Sequence, residues 1–180
     1  MNSDGKKGRA VLLKELVREI PDFPKKGISF KDITPLLHNP ASLKEIVDKL
    51  SERYANQKVD VIVGAEARGF LFGPAVAINL NVGFVPVRKP GKLPYETSSV
   101  TYDLEYGTDT LEIHKDAVKA GDNVLMMDDL LATGGTMIAS CELVESLGGK
   151  IAGCAFLIEL GFLNGKEKLS KYDIFSLIQY

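Results

Sequence analysis

Asp128 and Asp129 stand side by side after the apolar run Val124-Leu125-Met126-Met127. Leu130 and Leu131 come next, then the small loop Ala132-Thr133-Gly134-Gly135-Thr136. Adjacent carboxylates can accept hydrogen bonds from the vicinal hydroxyls of a ribose, or orient a Mg²⁺ shell. A glycine-rich loop opening a helix lets backbone N–H groups close on a phosphate, helped by the positive end of that helix. Thr133 and Thr136 add hydroxyl donors to such a cradle. Either feature alone reads as an ordinary turn, since Asp and Gly-Gly are common turn formers. In this order, behind a strand, they point to a ligand carrying both a phosphate and a diol or metal.

Other residues could serve the same ligand. Arg68 lies in the turn from Gly64 to Gly69, and a guanidinium matches phosphate oxygens two at a time. Arg88, Lys89 and Lys92 cluster after another strand, either as a solvated charge run or as an anion site. Phe30 offers an aromatic face and Leu130 an apolar one, fit either for the core or for a flat heterocycle. His38 and His114 are isolated, so no metal site built by the protein itself is expected. Cys141 and Cys154 have no CxxC spacing and read as buried free thiols, which favours a reducing, cytoplasmic setting.

The elements that must position these groups alternate along the chain. Val11, Leu12, Leu13, Leu16, Val17 and Ile20 recur at helical spacing and predict a first helix reaching Ile20. Asn39-Pro40 opens a second helix, with Asn as cap and Pro at its first position. Val59 to Val63, Val82 to Val87, Val124 to Met127, Ile151 to Ile158 and Ile174 to Ile178 read as strands. Gly69 to Leu80 and Thr136 to Leu147 read as helices between them. Pro90 to Asp109 shows no sustained period and reads as a long loop, the usual form of a functional lid. Strands followed by helices imply an α/β fold with a mainly parallel sheet.

The stretch from Val124 to Thr136 resembles the signature of the type I phosphoribosyltransferases, which bind 5-phosphoribosyl-1-pyrophosphate (PRPP), and it matches that pattern at every position. Further blocks resemble the members of the family that take adenine. They are Pro21-Asp22-Phe23-Pro24 with Gly27, Phe30-Lys31-Asp32-Ile33, Ala65-Glu66-Ala67-Arg68-Gly69-Phe70, Arg88 to Pro94 and Leu104-Glu105-Tyr106-Gly107.

The resemblance implies one domain over residues 1–180, a twisted, mainly parallel sheet flanked by helices. A small hood and base-binding segment at about 10–35 and a flexible catalytic loop at about 90–110 complete it. It implies adenine plus PRPP giving AMP and pyrophosphate, with Mg²⁺ carried in by PRPP and Asp128 and Asp129 at most in its outer shell. Asp128 and Asp129 would hold the ribose hydroxyls, and Ala132, Thr133, Gly134, Gly135 and Thr136 the 5′-phosphate. Glu66, Ala67, Arg68, Lys89 and Lys92 would hold pyrophosphate, with the Glu66–Ala67 peptide cis. Glu105 is implied as the loop carboxylate that handles a proton of the purine, with Arg68 beside it in catalysis. Ser29, Phe30, Lys31 and Leu130 would receive adenine, with selectivity coming from backbone groups around Ser29 and Lys31. A homodimer is implied, with Arg88 reaching toward the partner subunit.

Two alternatives stay open. Another 6-substituted purine could be the acceptor, or the PRPP loop could serve a regulator carrying a nucleic-acid module. Charge argues against the second, because 22 Lys+Arg against 24 Asp+Glu leave a net charge of −2 and no basic footprint. A hydrophobic share of 45% and a charged share of 26% fit a globular domain rather than a disordered chain. No apolar run approaches the roughly 18 residues of a membrane span, so no membrane partner is expected.

Overall fold

The structure is a computed structural model describing residues 13–103 and 107–180. The chain divides into two compact units, residues 1–48 and 49–180.

In the first unit, Leu13–Glu15 is helical, but the chain then turns, and Arg18–Ile20 is a strand, β1. It pairs antiparallel with β2, Phe30–Asp32, in the register Glu19↔Lys31. The helix expected to reach Ile20 therefore stops early. The spacing of Leu13, Leu16 and Val17 suits a helix, yet Arg18 and Glu19 find opposite charges across the strand pair. Arg18 lies 3.4 Å from Asp32, and Lys31 Nζ donates to Glu19 at 2.5 Å. The Phe23–Pro24 peptide is cis, and the Asp22 carboxylate accepts the Gly27 N–H. Helix α1, Thr34–His38, follows, and the expected helix at Pro40 is α2, Pro40–Tyr54. Asn39 Oδ1 caps α2 by accepting the N–H groups of Ala41 and Ser42.

The second unit is built on five parallel strands in the order β4-β3-β7-β8-β9. They are β3 Val61–Ala65, β4 Gly83–Val87, β7 Asn123–Leu131, β8 Lys150–Glu159 and β9 Ile174–Gln179. β3 is buried at every residue, the pattern of a central parallel strand covered on both sides. Helices α3, Gly73–Leu80, and α4, Gly135–Ser146, flank the sheet, with short α5 at Gly165–Lys168. Val63, Met126, Val144, Cys154 and Phe156 meet in its core.

One long helix was expected from Gly69 to Leu80. A 3₁₀ turn at Arg68–Leu71 precedes α3 instead, because Pro74 suits the first turn of a new helix better than the interior of a continuing one. Phe84 locks this turn in place. A Cβ on Gly64 would lie 2.8 Å from its ring, and one on Gly73 would lie 2.3 Å away.

The stretch expected as an irregular loop also differs. Thr97–Asp103 and Thr108–His114 form an antiparallel hairpin, β5 and β6, with Tyr102 opposite Asp109. β5 sets only Val100 and Tyr102 among small polar residues, so its periodic signal is weak, whereas β6 alternates polar residues with the fully buried Leu111 and Ile113. Glu105, expected near the far end of that loop, lies outside the described residues. No helix among the described residues is long and apolar enough to cross a membrane.

Candidate active site

The carboxyl ends of β3 and β7, paired in the register Val61↔Val124, bring the acidic pair and the arginine turn together. In open α/β sheets ligands bind at this edge, where the strand order reverses. Here the chain runs from β3 outward to β4, then returns to place β7 on the other side of β3.

Gly69 allows the close approach. A Cβ there would lie 2.8 Å from the Met127 carbonyl oxygen, so the turn rests directly on the end of β7. Arg68 Nε consequently stands 3.0 Å from Asp129 Oδ2. That oxygen is buried and accepts no well-aligned hydrogen bond, which leaves it with unused acceptor capacity. Burial pushes the Asp129 carboxyl up, and the Arg68 guanidinium opposes that shift. Burial raises Asp128 well above the ordinary carboxylate range, and the charge of Asp129 adds to the effect. Asp128 Oδ1 accepts the backbone N–H of Asp129 at 2.8 Å.

Asp128, Leu130 and residues 131–137 line a depression of about 320 Å³ that opens to solvent. Gly134 caps α4 with φ +79°, a left-handed conformation that glycine adopts without strain. The first turn of α4 has N–H groups without intrahelical acceptors, the arrangement that favours an anion. Backbone packing from the far side fixes the loop. A Cβ on Gly165 would lie 2.2 Å from the Ala132 carbonyl oxygen, and one on Gly134 would lie 2.8 Å from that of Gly165.

On the other side of β3, the Glu66–Ala67 peptide is cis. Glu66 accepts from Arg88 Nε at 2.9 Å and from the Lys89 N–H at 3.2 Å. Arg88 Nη1 also donates to the Lys92 carbonyl at 3.2 Å, so in this chain Arg88 braces its own strand end. Lys89 Nζ pairs with Asp109, while Lys92 is exposed.

The remaining expected residues sit on the first unit. Lys31 is buried and its ammonium goes to Glu19, which also accepts from the Ser29 hydroxyl at 3.3 Å. Phe30 packs edge to face with Phe23, ring centroids 5.2 Å apart. Within the second unit the structure thus gathers Asp128, Asp129, Leu130, Arg68 and loop 132–136.

Sequence reasoning missed Tyr102, Asp109 and Gly165. Asn164-Gly165 was a readable turn signal, but nothing local marked Tyr102 or Asp109.

The phosphoribosyl transferase domain family matches residues 32–179, and the chain belongs to that family. Within it, the chain is 60% identical to the adenine phosphoribosyltransferase of Koribacter versatilis over 168 residues, covering 93% of this chain and 92% of that one. The crystal structure of adenine phosphoribosyltransferase from Thermoanaerobacter pseudethanolicus superposes with a TM-score of 0.93 at 58% identity, over 95% of this chain and 99% of that one. The Saccharomyces cerevisiae enzyme, solved with adenine and an imino-altritol bisphosphate, gives a TM-score of 0.90 at 45% identity over 96% and 99%.

Proposed function

We propose that this protein transfers the 5-phosphoribosyl group of PRPP to adenine, giving AMP and pyrophosphate in purine salvage. The observation that carries the reading is the joining of Arg68 to Asp129 beside the depression formed by loop 132–136. A sugar diphosphate with a 5′-phosphate demands that combination: hydroxyl acceptors, a phosphate cradle and a cation within one site.

Ribosyl transfer breaks the bond from C1 of the ribose to pyrophosphate and forms one to a purine nitrogen. Positive charge builds on the sugar and negative charge on the leaving group, so the site must neutralise pyrophosphate and exclude water. Asp128 and Asp129 are assigned the ribose hydroxyls, and residues 132–136 the 5′-phosphate. Glu66, Ala67, Arg68, Lys89 and Lys92 are assigned pyrophosphate. Glu105 is assigned the purine proton. Ser29, Phe30 and Lys31 are read as base-binding, and Leu130 as an apolar contact for the base.

Mg²⁺ would supply further charge neutralisation on the pyrophosphate. The residues present fit a metal brought in by PRPP, because the spare acceptor on Asp129 suits a water of its outer shell. A homodimer is part of the reading and is supported by the exposed apolar side chains of Leu71 and Ile78. Cys141 and Cys154 remain free thiols with Sγ atoms 3.8 Å apart, which supports a reducing, cytoplasmic setting.

The experiment is pyrophosphate release from PRPP and Mg²⁺ with adenine, hypoxanthine, guanine, xanthine, uracil and orotate in parallel. Release with adenine alone is expected. Release with a different base would overturn the base assignment, and none with any base would overturn the transferase reading.

A further inference from the structure

Tyr102 on β5 and Asp109 on β6 belong to no motif, yet they connect two groups assigned to opposite ends of PRPP. The Tyr102 hydroxyl lies 3.2 Å from Thr136 Oγ1 and donates to Asp109 Oδ2 at 3.2 Å. The same Oδ2 accepts from Lys89 Nζ. Asp109 Oδ1 is held separately by the Thr110 N–H at 2.9 Å.

The direction of these bonds follows from counting protons. A phenol has one, and an ionised carboxylate only accepts, so the Tyr102 proton goes to Asp109. Thr136 must then be the donor in its contact with Tyr102. The lysine hydrogen bond holds the Asp109 carboxyl below its ordinary value, so it is ionised at neutral pH. Thr136 and Lys89, the two ends of this relay, are both groups that the reading above gives to the ligand. An anion arriving at either end takes a donor that the relay is using.

We propose that Asp109 is an internal competitor for Lys89, restrained by Tyr102, that sets how tightly pyrophosphate is held. This rests on the assignment of Lys89 to pyrophosphate and Thr136 to the 5′-phosphate. Pyrophosphate is both the leaving group and a product that has to depart. A carboxylate waiting beside Lys89 weakens the grip on it and retakes the lysine as it leaves. The side chains of Lys89 and Asp109 are 42% and 23% exposed, so the pair is hydrated enough to exchange partners readily. Asp109 and Tyr102 are positioning residues here, since both act through the groups they hold.

The test is calorimetric binding of magnesium pyrophosphate and, separately, of AMP to the full chain and its variants, with turnover of adenine and PRPP run alongside. Asp109→Asn keeps the shape and removes the charge. It should tighten pyrophosphate by about three- to tenfold and leave AMP affinity within about twofold, while Asp109→Glu restores the original value. Tyr102→Phe leaves Asp109 Oδ2 to Lys89 alone and frees Thr136, so pyrophosphate should weaken and AMP should tighten. A general structural disturbance would move both ligands in the same direction. Unchanged or weaker pyrophosphate binding in Asp109→Asn overturns the proposal, whether or not the wild type turns over. Absence of turnover in the wild type overturns the transferase reading instead.

Discussion

Arg68 reaches Asp129 across the ends of two neighbouring parallel strands, Nε to Oδ2 at 3.0 Å. One residue belongs to the pyrophosphate assignment and the other to the ribose assignment, so the pair connects the leaving group to the sugar that it leaves. Asp129→Asn keeps the shape but removes the charge that attracts Arg68 and accepts the ribose hydroxyls. We expect kcat/KM for PRPP to fall about 10- to 100-fold, the worth of a charged hydrogen bond. The fold should be retained, as checked by circular dichroism. Unaltered PRPP kinetics would remove Asp129 from the ribose role.

The raised carboxyl of Asp128 makes a prediction about pH. Burial, then the neighbouring charge of Asp129, favours its protonated form in the native state. The native protein therefore binds a proton more tightly than the unfolded chain does. The associated stability is fully present below the unfolded value near 4 and is lost as pH rises through the higher native value. Asp128→Asn keeps the neutral form at every pH and can still accept the Asp129 N–H. In ligand-free protein the variant should match the wild type near pH 4 and exceed it in Tm as pH rises above that. A constant difference across that range would show that Asp128 does not titrate this way.

Gly165 tests the backbone packing behind the loop assigned to the 5′-phosphate. A methyl there would meet the Ala132 carbonyl at 2.2 Å, and backbone cannot move aside as a flexible side chain could. Gly165→Ala should cost about 1–3 kcal/mol in stability by overpacking. It should also raise KM for PRPP, while a surface change such as Lys168→Ala should alter neither. Thermal melts and PRPP saturation curves check both effects.

Glu105→Ala should lower kcat by about 10²- to 10⁴-fold if the carboxylate transfers the purine proton. KM for PRPP should change little. A rise in KM with kcat intact would make Glu105 a binding group only.

The glycine-rich loop 132–136 was readable from sequence because its strand, acidic pair, glycines and helix are contiguous, and local order dictates how they meet. Arg68 and Asp129 were each readable, but their contact was not, since it depends on the pairing of β3 with β7. Tyr102, Asp109 and Lys89 were harder still. Their meeting depends on the register of a hairpin whose first strand, β5, resembles loop sequence. The early end of the first helix failed for a related reason. The apolar spacing of Leu13 to Ile20 was clear, but the charges on Lys31 and Asp32 that draw Arg18 and Glu19 into a strand lie across a turn.

The parallel pairing of β3 with β7 also has a consequence in time. Arg68 and Asp129 are separated by roughly 60 residues of chain, and closing so long a loop is entropically unfavourable before any contact compensates. Sheets of this connectivity assemble slowly because their pairings are non-local. The residues assigned to ribose and pyrophosphate therefore become neighbours only once both strands are seated. During synthesis β3 and its turn precede β7, so the site assigned to the anion is complete only after β7 has joined the sheet.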